Sequence, residues 1–153
     1  HEIVPSGKKV RMIPNATSYI NEGFNPVSFQ GSFPSTDKEL MLRLFENLGQ
    51  TFEVKEDKLE GYAIISAMLP TYFWFQWEKM EEIGRKTGLT EKESRHAVQE
   101  TLLRSISLLY GSDLSYEEVV DLIPVKPIGE NEQEIENIYE TRLMGLFNKI
   151  RSA

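Results

Sequence analysis

Few residues of this chain are of the types that carry out nucleophilic or metal-assisted chemistry. Ser66 is a candidate nucleophile, but His96 is expected on a different helix, and no serine–histidine–acid spacing relates the two. The histidines, His1 and His96, do not form a metal-binding pattern, and the absence of cysteine excludes thiolate catalysis and cysteine-bound metals. Ser66 is therefore expected at most to hydrogen-bond a ligand, or simply to bond a preceding helix carbonyl.

Asn15 is the second candidate, because it follows a short predicted strand at a turn that begins with Pro14. A turn asparagine either contacts a ligand or uses its side chain to cap the surrounding backbone. The residue types alone leave both interpretations open, so the elements that position Asn15 and Ser66 have to be considered next.

The composition excludes several classes of protein. The 17 basic and 24 acidic residues give a net charge of −7, which argues against nucleic-acid binding, since phosphate contacts need a basic surface. No apolar run approaches the ~18–20 residues of a membrane span, and no secretory signal is visible. The hydrophobic content of 40% and charged content of 27% are typical of a soluble globular protein, which we expect in the cytoplasm.

The first third of the chain predicts a small α/β region. Short apolar or alternating runs have the pattern of strands, at residues 9–13, 27–30 and 51–55. Three strands are too few for an independent sheet with covered faces, so residues 1–57 are expected to be the end of a larger α/β sheet. We expect the beginning of that sheet upstream of His1.

A helix is predicted between the second and third strands, at residues 35–48. Thr36 and Glu39 match a capping box near its start. Turn residues are expected before the second strand, at Gly23, Asn25 and Pro26.

Residues 58–153 are predicted to be helical, which makes the whole chain α+β and mostly α. Two capping boxes open helices, at Thr90 with Glu93 and at Ser115 with Glu118. The helix that follows Thr90 is expected to turn an apolar face inward, and that face includes Ile106. The clearest helical periodicity lies at the end of the chain, in residues 132–150.

The helix predicted at residues 71–86 carries an unusual aromatic run. Five of the six residues from Tyr72 to Trp77 are aromatic, and four consecutive rings span about 400° of helix rotation, so no single face can bury them. A helix that is apolar all round must be enclosed. We expect a second copy of the chain to enclose it in a homodimer; the alternatives are a helix buried within one chain and an aromatic cage for a ligand.

The order of motifs resembles the pyrroline-5-carboxylate reductase family. The family has R-V-M-P-N-T-P followed by G-E-G, where this chain has RMIPNAT at 11–17 and NEG at 21–23. A family segment G-x-x-x-x-V-x-E corresponds to GQTFEVKE at 49–56, and S-G-S-G-P-A-Y corresponds to SAMLPTY at 66–72. The G-L that opens the next family segment matches Gly88 and Leu89. The resemblance covers roughly residues 10–124, and more loosely the final helix.

This resemblance implies a fold, a cofactor and a reaction. The expected fold is the tail of a Rossmann-type sheet in residues 1–57, followed by a helical dimerisation and substrate-side domain in residues 58–153. The cofactor would be NADP or NAD, and hydride would pass to a small imine or carbonyl substrate. The resemblance places Asn15 near the nicotinamide and Ser66 on the substrate side, with Tyr72 either adding a hydroxyl there or packing.

The chain departs from the family in three places. Ala67, Met68 and Leu69 stand where the family has Gly-Ser-Gly, and these larger side chains fill space that glycine leaves for a ligand. The family's S-P-G-G-T-T, which holds a substrate carboxylate, is replaced by IPVKPI at 123–128, where Lys126 could meet an anion instead. The chain also contains no G-x-G-x-x-G phosphate loop. The alternative function is therefore a non-catalytic helical homodimerisation module.

Overall fold

The computed structural model describes residues 7–152, which form two compact units. The first unit contains the described residues up to Thr71 together with those from Glu140 onward, and the second runs from Tyr72 to Tyr139. The predicted class, α+β with mostly helix, is confirmed. The boundary predicted between residues 57 and 58 stays a prediction.

The described elements follow the predicted order closely. The strands are β1 (Lys9–Met12), β2 (Gly23–Gln30) and β3 (Gly49–Glu53). The helices are α1 (Ser35–Phe45), α2 (Leu59–Tyr62), α3 (Leu69–Lys86), α4 (Glu91–Gly111), α5 (Tyr116–Asp121) and α6 (Glu132–Arg151). A π-helix covers Ala63–Ala67, and 3₁₀ turns cover Ala16–Ile20, Glu46–Leu48, Glu56–Lys58 and Gly129–Asn131.

The strands form one mixed sheet with the order β1-β2-β3. β1 is antiparallel to β2, with Met12 opposite Val27, and β2 is parallel to β3, with Val27 opposite Glu53. Parallel strands need a crossover connection, and α1 supplies it between β2 and β3. The result is the edge of an α/β sheet, with β1 leading into the turn that carries Asn15.

The core of the first unit lies between this sheet and α2. Val27 and Leu59 are fully buried, and Ala63 and Ile64 are also buried. The rings of Phe24 and Phe52 pack 4.5 Å apart between their centroids, and Tyr62 of α2 covers both rings. Burying Val27 and Leu59 stabilises the contact of α2 with the sheet, at about 1.5–3 kcal/mol for each of these side chains.

Two local predictions in the first unit are wrong. Gly23, Asn25 and Pro26 are not turn residues but the first half of β2, where Asn25 and Pro26 are completely buried. The capping box at Thr36 and Glu39 does not form, because α1 already begins at Ser35. Its first turn is closed by the carbonyl of Pro34, which accepts from the amides of Asp37 and Lys38, so Thr36 lies inside the helix.

The helix starts of the second unit are as predicted. The hydroxyls of Thr90 and Ser115 accept from the backbone amides of Glu93 and Glu118, and each glutamate carboxylate accepts in turn from the backbone amide of its capping residue. Each such cap stabilises its helix by roughly 1 kcal/mol. The predicted inward face of α4 is only partly covered within one chain, since Ile106 is 52% exposed.

Candidate functional site

Asn15 lies in the turn between β1 and the 3₁₀ turn Ala16–Ile20. Its side-chain Oδ1 accepts hydrogen bonds from Thr17 Oγ1 at 2.7 Å and from the backbone amide of Phe24 at 3.4 Å. Because the oxygen is held by two donors, the Nδ2 amide group is the part of this side chain that remains for a ligand oxygen. The turn-capping role and a ligand role are therefore compatible.

Ser66 lies in the π-helix that separates α2 from α3. The amide of Met68 bonds the carbonyl of Ala63 at 3.1 Å, which is the i→i+5 pattern of a π-helix. Pro70 has no N–H to give to the carbonyl of Ser66 four residues earlier, so the regular α-helical pattern cannot continue through this point. Single π-turns inside helices are found frequently at functional sites.

Ser66 and Asn15 meet at one residue of β2. The Ser66 hydroxyl donates to the carbonyl of Phe24 at 3.2 Å, while the amide of the same residue donates to Asn15. In an extended strand, the N–H and C=O of one residue point to the same side. Directly after β1, the Ile13 amide donates to the Pro26 carbonyl of β2 at 3.0 Å. The side chains of Asn15 and Ser66 thus bond the N–H and C=O of Phe24 that a longer β1 would pair with.

Tyr72 and Lys126 lie in the second unit. The Tyr72 ring packs against Tyr139 with 6.3 Å between centroids, and burial raises the pKa of its hydroxyl. Gln76 joins the backbone carbonyl of Tyr72 to the Tyr139 hydroxyl, at 2.6 and 2.8 Å. The packing role expected of Tyr72 is thus visible. A shared site of Tyr72 or Lys126 with Asn15 and Ser66 stays a prediction.

Lys126 is exposed in the segment between α5 and the 3₁₀ turn Gly129–Asn131. Its backbone carbonyl accepts from the amide of Gly129 at 3.0 Å, which closes a turn after Pro127. The turn fixes the backbone of Lys126 at the surface, and its contact with an anion stays a prediction.

Sequence reasoning missed Asn25 of β2. Its side chain bonds the segment between β1 and β2, residues 13–22, which is called the Asn15 turn below. Asn25 is 0% exposed, and its Oδ1 accepts from the Asn15 amide at 3.3 Å and from Ser18 Oγ at 2.9 Å. A strand asparagine next to proline has the composition of a turn, so its burial left no signal in the sequence.

A second missed feature is an ion-pair cluster that ties β1 to the start of α2. Arg11 reaches the carboxylates of Glu56 and Glu60, each at 2.7 Å. Burial tends to raise the pKa of Glu56, but the hydrogen bonds that the carboxylate accepts, first that from Arg11, outweigh burial and lower it below its usual value. The cluster joins the strand that leads to Asn15 with the helix that leads to Ser66.

Across the described part of the chain, histidine, aspartate and glutamate side chains do not form a group of three or more that could hold a metal ion. Within residues 7–152, no helix combines the length and apolar character that crossing a bilayer requires.

The sheet edge and the helices that follow it define the class of the chain: the tail of a nucleotide-binding α/β fold, followed by a helical region. Curated reductases match the chain in sequence. Pyrroline-5-carboxylate reductase of Staphylococcus haemolyticus is 25% identical over 109 residues, which are 71% of this chain and 40% of that protein. The Staphylococcus aureus protein of the same name is 22% identical over 143 residues, or 94% of this chain and 52% of that protein.

Solved structures agree with these relatives. The pyrroline carboxylate reductase of Plasmodium falciparum, solved with NADP bound, superposes with a TM-score of 0.75 at 26% identity, covering 94% of this chain and 59% of that one. The 1-pyrroline-5-carboxylate reductase of Streptococcus pyogenes superposes with a TM-score of 0.73 at 20% identity, covering 95% and 59%. No family model matches the chain.

The resemblance to pyrroline-5-carboxylate reductases that the motifs indicated is confirmed by these matches. So is the expected architecture, the tail of a Rossmann-type sheet followed by helices. The chain spans about half the length of the curated relatives it matches.

Proposed function

We propose that this chain is the C-terminal portion of an NAD(P)-dependent oxidoreductase that transfers hydride to a small imine or carbonyl substrate. The observation that carries the proposal is the meeting of Asn15 and Ser66 at Phe24, at the end of the first described strand. Ligands of open α/β sheets bind outside the carboxyl ends of the parallel strands. Asn15 lies beyond the carboxyl end of β1, which is antiparallel to β2, so the proposal expects the upstream strands to run parallel to β1. The likeness to the Plasmodium falciparum reductase structure solved with NADP bound supports the use of this type of cofactor.

The cofactor, NADP or NAD, would supply the hydride when bound, while the protein positions it. The described residues suit only its nicotinamide end: Asn15 would bind a ligand oxygen through Nδ2. The phosphate-binding G-x-G-x-x-G is not in this sequence, so we expect upstream residues to hold the pyrophosphate. We expect this stretch alone to be inactive.

Ser66, Tyr72 and Lys126 would lie on the substrate side. The substrate is expected to differ from pyrroline-5-carboxylate, because Met68 and Leu69 fill space that the family motif leaves for glycine and serine. Lys126 would replace the family's glycine- and threonine-rich loop as the contact for an anionic group. A lysine ammonium is a point charge on a flexible stem, so it would hold an anion with less defined geometry than a loop of backbone amides.

The test is a fluorescence titration of NADPH into the product of the whole open reading frame that contains this chain. Replacing Asn15→Leu should weaken NADPH binding by tenfold or more. The matched control, Asn47→Leu, changes an exposed asparagine that bonds only a local carbonyl, and it should alter affinity less than twofold. A wild-type protein that does not bind NADPH would refute the enzyme proposal.

The proposal includes a homodimer formed through α3, at residues 71–86, and neighbouring helices. Trp74 is 48% exposed and Phe75 is 66% exposed in the single chain, which favours a second copy over a helix enclosed within one chain. An apolar groove of about 320 Å³ lies open between α3 and α4, lined by Trp77, Met80, Ala97, Val98, Thr101 and Leu102. An aromatic cage for a ligand is less well supported, since Phe73 stacks on Trp77 and packs on Tyr139.

The exposed apolar side chains of α3 and α4 also favour a second copy. Trp74, Phe75 and Met80 of α3 are exposed by 48, 66 and 49%, and Leu103 and Ile106 of α4 by 55 and 52%. Large exposed apolar patches mark interaction sites, and a stable interface covers about 800 Å² on each partner.

The second candidate function is a helical homodimerisation module without catalysis. It is favoured by the same exposed surface together with the loss of the family's glycine-rich motifs. Light scattering that shows a dimer, combined with no NADPH binding by the whole open reading frame product, would select this function over the oxidoreductase. The absence of nucleic-acid partners and the cytoplasmic location stay predictions from the sequence.

A further inference from the structure

We propose that Asn25 is a positioning residue that holds the Asn15 turn in its binding conformation. The inference rests on the proposed function, because it assigns the turn a role in holding the cofactor. Asn25 does not contact the ligand itself; it is completely buried in β2 and acts through the turn.

The hydrogen bonds of Asn25 join three separate segments. Its Oδ1 accepts from the backbone amide of Asn15 at 3.3 Å and from the hydroxyl of Ser18 at 2.9 Å. Its Nδ2 donates to the carbonyl of Leu48 at 3.4 Å, immediately before β3. The Asn25 side chain therefore connects the turn, at Asn15 and Ser18, with the residue that precedes β3.

Only a neutral amide satisfies these partners together. The oxygen accepts two bonds while the nitrogen donates one, which an aspartate side chain cannot do without burying a charge opposite the Leu48 carbonyl. The surrounding space is also shaped to this side chain. A Cβ at Gly23 would lie 2.5 Å from Asn25 Nδ2 and 2.1 Å from Ser18 Oγ, so only glycine fits beside it.

The turn has little else to hold it. Tyr19 is 94% exposed and Ile20 is 61% exposed, so their side chains add almost no packing. Asn21 ends the 3₁₀ turn in the left-handed region, with φ of 61°. Thr17 Oγ1 bonds the carbonyl of Glu22 at 2.6 Å and Asn15 Oδ1, which also accepts from the amide of Phe24, an exposed residue at the start of β2. Without Asn25, the bond to Phe24 would remain, and the bonds that tie Asn15 and Ser18 to the buried part of β2 would be lost.

Limited proteolysis of the whole open reading frame product tests whether Asn25 holds the turn. Chymotrypsin cleaves after exposed aromatic residues, and Tyr19 lies at the tip of the turn. Asn25→Ala should speed cleavage after Tyr19 by tenfold or more, while cleavage after the 81% exposed Tyr110 of α4 stays the same as an internal reference. Unchanged cleavage after Tyr19 would overturn the proposal.

Two further variants keep the experiment interpretable. Ser18→Ala removes a single bond to Asn25 from a partly exposed position, so it should fold even if Asn25→Ala does not, and it should speed cleavage about threefold. Ser94→Ala is the control, because Ser94 is equally buried and bonds one backbone carbonyl, that of Glu81, in the other unit. It should leave cleavage after Tyr19 within twofold of wild type.

NADPH binding by the whole open reading frame product tests the link to the cofactor. Asn25→Ala should raise the Kd for NADPH tenfold or more and move the emission maximum of bound NADPH toward that of free NADPH, whereas Ser94→Ala should change neither. Equal losses of affinity in both variants would make Asn25 a stability residue only and overturn its positioning role. If the wild-type product does not bind NADPH, the proposed function fails, and the cleavage rates alone decide whether Asn25 holds the turn.

Discussion

Gly49 and Gly23 form a close backbone approach in the first unit. Gly49 has φ of +117°, a conformation that residues with a side chain rarely adopt, and a Cβ there would lie 2.1 Å from the Gly23 amide nitrogen. The contact sets the start of the parallel pairing of β2 with β3, at the point where Asn25 reaches the Leu48 carbonyl.

Substituting Gly49→Ala is therefore expected to lower the free energy of unfolding by about 3 kcal/mol, because it adds both backbone strain and a clash with backbone atoms. Urea denaturation followed by circular dichroism measures the change. Gly61→Ala in α2 is the matched control, since a Cβ there meets no atom within 4 Å and alanine favours a helix. If Gly49→Ala were as stable as Gly61→Ala, the backbone of Gly49 could not lie as close to Gly23 as the structure shows.

The Arg11 cluster predicts a pH dependence. Because Glu56 has a lowered pKa in the folded chain, its ionised form stabilises the fold above the unfolded pKa, and this contribution disappears as the pH falls through the folded pKa. Arg11→Met should cost about 1 kcal/mol at pH 7, a modest figure because the groups are partly exposed. The difference from wild type should shrink toward pH 3.

Chemical denaturation at pH 7 and pH 3 measures this difference. Lys8→Met removes a more exposed ion pair, that with Asp37, and should cost less than Arg11→Met at pH 7. A penalty for Arg11→Met that is the same at both pH values would show that the cluster does not stabilise the fold through its charges.

At the residue scale, the sequence indicates Asn15 and Ser66 as candidate site residues, but it does not predict that both side chains bond Phe24. Their meeting at Phe24 depends on tertiary contacts between residues 42 positions apart, which no local pattern records. Asn25 was assigned to a turn because asparagine and proline favour turns, whereas burial in a strand was decided by the pairing of β2 with both neighbours.

At the scale of elements, α3 and α4 cross where two small residues meet. Ser94 is 1% exposed, and its hydroxyl donates to the carbonyl of Glu81 on α3 at 2.6 Å. A Cβ at Gly84 would lie 2.2 Å from Ser94 Oγ and 3.1 Å from its Cβ. The helices can approach this closely only because Gly84 has no side chain.

A double-mutant cycle tests this crossing. Gly84→Ala should destabilise by about 2 kcal/mol through overpacking, and Ser94→Ala by about 1 kcal/mol through loss of its hydrogen bond. The double variant should be less destabilised than the sum by at least ~0.5–1 kcal/mol, because removing the hydroxyl makes room for the new methyl group. Thermal or urea unfolding gives the three values.

Gly111→Ala combined with Ser94→Ala is the control cycle, since a Cβ at Gly111 meets no atom within 4 Å. Those two changes should be additive. Strict additivity for Gly84 and Ser94 as well would contradict a close crossing at this point.

Elements with a local chemical signature were predictable and others were not. The capping boxes at Thr90 and Ser115 were found because both partners of each box lie within four residues. The π-helix was not, since it arises from the combined demands of Pro70 and the packing of Leu59, Ala63 and Ile64. The aromatic run predicts an unusual environment for α3, and in the single chain two of its rings, those of Trp74 and Phe75, are exposed.

At the scale of the whole molecule, the exposed rings of α3 predict self-association. Phe75→Glu should raise the dimer dissociation constant at least 100-fold, because a charge would have to be buried in an apolar interface. Sedimentation velocity across a concentration series measures it. Glu78→Gln alters an exposed polar position of the same helix and should leave the dimer intact. A wild-type chain that stays monomeric at micromolar concentration would refute the dimer.

Hydrogen–deuterium exchange of the whole open reading frame product, with and without NADPH, tests most directly whether this chain carries the nicotinamide side of a reductase. The account predicts that NADPH slows exchange in peptides covering residues 15–25 and leaves the exposed surface of α4 at residues 91–99 unchanged. NADPH that binds but protects neither the Asn15 turn nor the start of β2 would contradict it.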